Sequence, residues 1–459
     1  MLNGEQDRVR KTLLFSILDG LGYSVMAGAG ESYFLAYALF LGSSNTLLSF
    51  FLALPIFIGS LSQAFSERLL FLFKTRKRFI CSAAFAQALM FLPVIALHEW
   101  SGSQRGAVLL VVVCAYWACG LVLMPSWTSL MGDLVSQVER GRFFGRRSRY
   151  MQGATFASLV VAGLLLFLFK GRNHEFTGYV VIFAIAGLAR LVSFWFLTRH
   201  WEPGIDWPEP RGGLAAVVDT FHQPDRRVLV LYLSLMNLSL HLALPFYSAY
   251  MLRPRAQHGL GWSYITYTAV NGIAVFSRVL FLSLWGKASD RFGSRKCLVP
   301  AAWFFSSLPF FWLFPPRYAS LHLAVICFAQ MLGGFAFAAQ DLCSFQLLLD
   351  SAPPAGRARL IAAMNIVNGS LILLGSAGGA LIVSLAPRWV NPFLLVFLAS
   401  ALIRFAVSGA LIGRLKEARR VEDISYGSLL GQVTGATALW GWVSLSSSPR
   451  AAKSQGKNP

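Results

Sequence analysis

Apolar stretches long enough to cross the ~30 Å hydrocarbon core of a bilayer as a helix recur along the whole chain, and few folds other than a helical membrane bundle can absorb them. We read twelve. Their cores are Thr12–Leu41, Asn45–Phe65, Phe79–Leu97, Ala107–Met131, Met151–Phe169 and Gly178–Leu197, then Val228–Met251, Ser263–Trp285, Leu298–Phe314, Leu321–Leu349, Leu360–Leu385 and Pro392–Leu411. Apolar residues make up 56% of the 459 and charged residues only 13%, so most of the chain cannot face water. In lipid the backbone must satisfy its own hydrogen bonds, which a helix does within each segment. The predicted fold class is an all-α membrane protein with twelve transmembrane helices.

A formal net charge of +20 could signal nucleic acid, but the basic residues alternate by loop. Clusters at Arg8–Lys11, Arg68–Arg78, Arg140–Arg149, Arg199–Arg227, Lys287–Lys296, Arg357–Arg359 and Arg414–Arg420 share one side. Scattered cations such as Arg105, Lys170, Arg172, Arg253 and Arg255 hold the other. The positive side is expected to be cytoplasmic, which places both termini in the cytoplasm and the chain in the inner membrane, with no nucleic-acid partner. The first apolar run is too long for a signal peptide and lacks a small-residue cleavage site, so it is expected to stay as a span. Six cysteines fall within or at the ends of spans without metal-ligand pairing, and are expected to be structural thiols; no metal and no cofactor is expected.

The connection Trp201–Arg227 is the longest and is rich in breakers and charge, so it divides the chain. The expected units are an N-terminal six-helix bundle at 1–200, a central cytoplasmic loop at 201–227, a C-terminal six-helix bundle at 228–415, and a tail at 416–459. Short patterns return across the divide at nearly constant offset. Asp133, Arg140 and Arg142 after span four match Asp350, Arg357 and Arg359 after span ten; Arg76-Lys77 match Arg295-Lys296, and Arg190 matches Arg404. This suggests duplication. Two such halves, pseudo-symmetric about an axis along the membrane normal, enclose a site that rocking opens to either side.

Between spans eight and nine the chain reads Gly286-Lys287-Ala288-Ser289-Asp290-Arg291-Phe292-Gly293-Ser294-Arg295-Lys296. This resembles the G-x-x-x-D-R-x-G-x-R-K signature of the major facilitator superfamily in spacing and in topological place. The resemblance implies a charge cluster holding the cytoplasmic gate, here Asp290, Arg291, Arg295 and Lys296. The first-half copy keeps Gly59, but Gln63 stands at the acidic place and about eight extra residues precede Arg76-Lys77. The stretches P-S-W-T-S-L-M-G-D-L-V and R-G-R-F-F-G-R-R-S-R also resemble a bacterial branch of the superfamily. Span five lacks the glycine-proline motif of many drug exporters in that family, which weakens drug export as a function.

Charge inside a membrane costs roughly 2.5 to 3.5 kcal/mol, so each intramembrane ion needs a reason. Asp19 and Glu31 fall in span one, Arg190 in six, Arg278 in eight, Asp341 in ten and Arg404 in twelve. Asp19 and Arg190 both lie ~12 to 14 Å from the positive side, so they could meet; Arg278 and Asp341 could do the same. For Arg190 and Arg404 a structural ion pair is the favoured reading, while Arg278 and Asp341 stand open between structure and function. Helical phase places Tyr23, Tyr33 and Tyr37 within ~40° of Asp19. Tyr264, Tyr267, Asn271 and Arg278 share a face in span eight, as do Gln330, Asp341 and Ser344 in span ten, and span seven adds Ser234, Asn237, His241 and Ser248. Such stripes fit a wet central cavity, with interhelical hydrogen bonding as the competing account.

Tyrosine stripes beside an arginine suit a polar organic solute or an anion. A carboxyl in low dielectric takes up a proton readily, which makes Asp19, Glu31 and Asp341 proton-coupling candidates. If Asp19 is ion-paired, Glu31 becomes the better candidate. His241 is expected to be a packing residue rather than a relay, and Gly375, Gly378 and Gly379 are expected to let helices approach closely. In the tail, Leu429, Val433, Ala436, Trp440 and Val443 recur at spacings of four and three, the pattern of a helix lying on the inner leaflet. No phosphate-cradling loop, metal-binding motif or supported nucleophile points to an enzyme. The function expected is secondary transport of a small organic solute by alternating access, coupled to a proton or ion gradient and carried out by a monomer. The rival reading is a non-transporting receptor or scaffold that retains the fold.

Overall fold

The protein is described by a computed structural model, covering residues 2–43, 45–97, 104–203, 213–316, 318–387, 389–417, 419 and 421–434. Span 1 comprises Leu2–Ala29, a 3-10 turn at Glu31–Tyr33 and Phe34–Phe40; span 2 comprises Asn45–Ser62, a 3-10 turn at Gln63–Phe65 and Ser66–Phe73. Span 3 is Arg76–Leu89 with Phe91–Ala96, span 4 Arg105–Val122 with Met124–Leu134, span 5 Arg140–Lys170 and span 6 Glu175–Leu197. Spans 7 to 12 are Pro224–Leu252, Tyr264–Phe292, Ser294–Phe311, Ala319–Asp350, Pro354–Leu385 and Pro392–Leu411.

Eleven helical segments among the described residues are long and apolar enough to cross a membrane. Span 9 is the remaining one. It is short, opens on Arg295 and Lys296, carries Pro300 and Pro309, and packs on spans 10 and 12. Large apolar side chains such as Leu164, Phe167, Trp195, Phe276 and Leu402 point outward, as a lipid solvent requires.

The two six-helix bundles repeat one packing scheme. Span 1 lies on spans 5 and 6 and span 2 on span 4; span 7 lies on spans 11 and 12 and span 8 on span 10. Between bundles, span 5 meets span 8 and span 2 meets span 11, which are themselves equivalent pairs. In span 11, a Cβ on Gly375 or Gly379 would run into the backbone carbonyls of Leu238 and Leu242 on span 7. These glycines therefore serve close helix packing, where dispersion replaces the hydrophobic drive that lipid removes.

The apolar cores show where the bundles join. One large cluster, at the face bearing the basic loops, holds residues of both halves, including Trp127, Phe143, Phe144, Leu282, Trp285 and Leu349. Phe144 and Phe345 stack edge to face across the divide with centroids 4.9 Å apart. Toward the opposite face there are two separate clusters. One is built from first-half residues around Phe34, Phe91, Tyr116 and Phe183, the other from second-half residues around Tyr250, Trp312, Phe393 and Phe397.

Two expectations change. Span 1 is not one continuous helix, because the turn at Glu31–Tyr33 resets helical phase beyond Ala29. The tail helix Tyr426–Thr434 does not present its apolar face to lipid. It docks on spans 8 and 9 with Leu429 and Val433 buried in the shared core; Ala436, Trp440 and Val443 lie outside the described residues. A further helix, Gly213–His222, packs on span 11 within the central connection.

Candidate functional site

The basic face is closed by ion pairs that cross between the halves. Arg76, wholly buried at the start of span 3, reaches Asp133 at 2.6 Å and Glu202 at 3.0 Å. Asp133 at the end of span 4 also pairs with Arg357 of span 11. In mirror fashion Arg140 at the start of span 5 pairs with Asp350 at the end of span 10, and also donates to the Gly132 carbonyl at 2.5 Å. Each carboxylate thus serves a cation of its own bundle or its tail and one of the other, as Asp350 also meets Arg419 at 3.2 Å. Little of these side chains is exposed, so removing one partner would strand a buried charge.

The Gly286–Lys296 motif divides its labour in a way its spacing does not reveal. Asp290 accepts from the backbone N–H of Gly141 at 2.5 Å and of Arg142 at 2.6 Å, capping the N-terminus of span 5 from the other half. The Arg142 side chain itself is exposed, so its part is played by the backbone. Gly286 is where the helices touch: a Cβ there would strike the Gly141 carbonyl, and one on Gly141 would strike Gly286. Gly293 sits at φ +89°, a region that favours glycine. Arg291, Arg295 and Lys296 were expected to hold the gate, and here the expectation is corrected. They turn to the tail instead, Arg291 to Glu422 at 2.7 Å, Lys296 to Asp423, and the Arg295 N–H to Glu417 at 2.9 Å. Arg419 completes this strap, donating to Ser294 Oγ at 3.0 Å and, across the divide, to the Gln137 carbonyl at 2.7 Å.

The first-half copy is wired differently. Gln63, at the acidic place, accepts from Asn365 of span 11 at 2.8 Å. The charge appears one turn later, where Glu67 pairs with Arg359 at 2.7 Å. Sequence reading missed Glu67, although a carboxylate four residues after Gln63 lies on the same helical face. Glu202 and Glu417 were missed as well. They occupy equivalent places after spans 6 and 12 and accept from the first backbone N–H groups of spans 3 and 9.

Inside the first half a small cavity of about 90 Å³ is lined by Asp19, Tyr23, Arg147 and Arg190, among others. Asp19 and Arg190 do not pair directly, as had been expected. Arg190 donates to Ser193 Oγ at 2.8 Å, which donates to Asp19 at 2.7 Å. The ion partner of Asp19 is Arg147, at 3.7 Å, whose guanidinium also lies over the Trp127 ring and donates to the Ser16 carbonyl. Sequence reading had placed Arg147 in a loop; its spacing of seven from Arg140 put both on one helical face and was the available signal. Tyr23 belongs to this site, with Arg190 over its ring at 5.3 Å. Tyr33 and Tyr37 do not, because of the reset in span 1. Tyr33 donates to the Leu159 carbonyl at 2.8 Å, and Tyr37 is wholly buried against Tyr179 and Phe183. Glu31 accepts from the Tyr116 hydroxyl at 3.2 Å and has no cation within 4 Å among the described residues.

The second half holds two adjoining cavities of about 250 and 260 Å³, which share Leu240 and Phe337. Asn271, Arg278 and Gln330 line the first, which runs toward Met251 and Trp312 near the opposite face and is met by Gln152 of span 5. Asn237 and Asp341 line the second, with Asn365. Arg278 and Asp341 pair, as depth suggested, and remain part-exposed at 30% and 47%. Tyr267 bonds Ser248, which lines the first cavity, at 3.1 Å. His241 is half-buried and lines neither cavity. The Tyr264 side chain lies outside the described residues. Arg404, expected to be a structural ion-pair partner, reaches no carboxylate among the described residues.

Comparison with known proteins agrees with this architecture. The family model described as Major Facilitator Superfamily matches residues 229–451. The fold is similar to a bacterial homologue of the iron transporter ferroportin in an outward-facing state, with a TM-score of 0.64 at 14% identity over 88% of this chain and 98% of the other. It is also similar to a major facilitator superfamily proton:xylose symporter bound to 6-bromo-6-deoxy-D-glucose, with a TM-score of 0.60 at 14% identity over 95% and 99%. No curated protein matches the chain. The second half of the chain thus matches the Major Facilitator Superfamily model, and the chain as a whole is a multi-pass integral membrane protein with the fold of that superfamily's proton:xylose symporter.

Proposed function

We propose that this protein is a monomeric secondary transporter that moves a small organic solute across the inner membrane by alternating access. Residues 1–200 and 228–415 act as the two rocking bodies, joined by 201–227, and the basic face with both termini is cytoplasmic. One observation carries the reading: the halves share a core and ion pairs at the basic face, while their cores separate toward the opposite face. That geometry supports a gate closed to the cytoplasm with cavities facing outward.

Release inward then requires the paired clusters at Asp133 and Asp350 to open together. Their desolvated partners favour an all-or-none transition, since a half-opened cluster strands a buried charge. Proton coupling falls to Glu31. Asp19 and Asp341 have arginine partners, whereas Glu31 has a neutral phenol and can gain or lose a proton without breaking an ion pair. The fold relatives are described as a homologue of an iron transporter and as a proton:xylose symporter; at such identity they support transport and leave the cargo to the cavity.

The test is solute flux in proteoliposomes under an imposed proton gradient. Wild type is expected to accumulate solute, and Glu31→Gln to lose accumulation while retaining exchange of internal for external solute. Accumulation by Glu31→Gln at the wild-type level would remove Glu31 from the mechanism. No flux across a broad solute library, with specific capture of a protein partner, would favour the receptor reading.

A further inference from the structure

The charges within the spans of the two halves do not balance alike. In the first half two carboxylates, Asp19 and Glu31, stand with two arginines, Arg147 and Arg190. In the second, among the described residues, Asp341 stands with both Arg278 and Arg404. Arg404 is the repeat equivalent of Arg190, but span 7 carries no acidic residue after Asp225 to answer it as Asp19 does in span 1. It is 1% exposed. Its Nη1 donates to the Phe305 carbonyl at 3.1 Å, the guanidinium lies over the Phe305 ring at 4.4 Å, and Tyr247 is its polar neighbour. Nε and Nη2 find no acceptor at strict hydrogen-bond geometry, and the Tyr247 hydroxyl that approaches the guanidinium is neutral and supplies no counter-charge. A buried guanidinium left so is costly, and the cavity that Arg404 lines is where a counter-ion can enter.

We propose that this cavity binds a small monocarboxylic acid, its carboxylate neutralising Arg404 and its apolar body lying against Leu240, Leu308, Trp312 and Phe337. One uncompensated cation suits one negative charge. A dianion would leave charge unmatched, a cation would be repelled, and a neutral sugar would leave the guanidinium unanswered. Asn271 and Gln330, bonded to each other at 3.4 Å on the same wall, are the polar groups available to orient the acid. Binding itself is independent of the transport reading; only passage of the acid across the membrane rests on it.

The full chain, purified in detergent, is melted with benzoate, phenylacetate and hexanoate, each set against its neutral carboxamide, and with inorganic phosphate. At least one carboxylate is expected to raise the melting temperature while its carboxamide does not. Arg404→Gln is expected to weaken that response by about tenfold or more, since a charged hydrogen bond is lost, without lowering the melting temperature of the ligand-free protein. Leu308→Glu, which supplies an internal carboxylate to the same cavity, is expected to raise that temperature and abolish the response.

Equal responses to carboxamides, a response to phosphate alone, no response to any carboxylate, or an undiminished response in Arg404→Gln overturns the proposal. If Arg404→Gln does not fold, a Leu308→Glu protein that still answers to carboxylates overturns it. Flux is scored separately. A carboxylate response without flux of that acid sinks the transport reading and leaves the site; neutral-solute flux untouched by Arg404→Gln, with no carboxylate response, sinks the site and leaves transport.

Discussion

The two halves share a packing scheme and an equivalent buried arginine, yet they use it differently. Around Arg190 the chain builds a polar relay through Ser193 and Asp19 to Arg147. Around Arg404 it leaves two guanidinium nitrogens unmet, beside a larger cavity and a part-exposed Arg278–Asp341 pair. The contrast teaches that two halves with one packing scheme carry different ionic contents. The first half links both of its buried arginines to Asp19, although Arg190 Nε also lacks an acceptor, whereas in the second Arg404 meets no carboxylate among the described residues.

The sharpest way to break this comparison is to remove the central carboxylate of each half. Asp19→Ala strands Arg147 and Arg190 and is expected to destabilise the protein by about 3 to 5 kcal/mol, the range for breaking a buried pair, read as thermal unfolding in detergent. Asp341→Ala acts on a pair that water reaches, and is expected to cost only about 0 to 1 kcal/mol. Equal losses would show that the second half is as closed as the first.

Next in size is the gate. Asp290→Ala removes the cap on span 5, worth about 1 kcal/mol and so about a fivefold shift toward the state open at the basic face. Distances between spin labels on loops of the two halves would report it. Glu67→Ala, acting on a more exposed pair, is expected to shift the same equilibrium less; the opposite order would make the first-half copy the stronger latch.

A double-mutant cycle on Arg278 and Asp341 comes third. Arg278→Ala is expected to damage transport more than the double neutral variant does, and strictly additive effects would show that the pair does not act as a unit. The smallest effect is expected in the tail. The hydrogen bond from Lys296 holds the Asp423 carboxyl below its usual range. Any help it gives to docking is therefore present above the ordinary carboxylate value and fades only as pH falls through the lower folded one. Because Asp423 is exposed, Asp423→Asn is expected to leave the melting temperature unchanged at neutral pH. Arg419→Ala, whose side chain is only 8% exposed, is expected to lower it.

Much of this was written in the order of the residues. Hydropathy alone marks the spans because lipid tolerates only self-satisfied backbone, and recurrence of Asp133–Arg142 as Asp350–Arg359 marks the repeat. Arg278 and Asp341 could be paired in advance because both depths are measured along single unbroken helices. The same reasoning failed in span 1, where a turn at Glu31–Tyr33 broke the phase that had linked Tyr33 and Tyr37 to Asp19. It failed for the basic cluster too, because charge counting assigns a side of the membrane and says nothing about which cation points inward. Arg147 and Arg142 belong to one run of arginines; one is buried against Asp19 and the other lies in solvent.

The sequence by itself therefore determined the solvent, the helical class and the recurrence of motifs between halves, since each follows from patterns along one chain. Tertiary structure alone decided the partners. Which carboxylate meets which arginine depends on how helices rotate and approach, and at Gly141 and Gly286 that approach is set by the absence of a single carbon atom on each side. Whether Arg404 has a counter-ion is likewise a property of several packed helices, legible only once the atoms around its guanidinium are fixed in space.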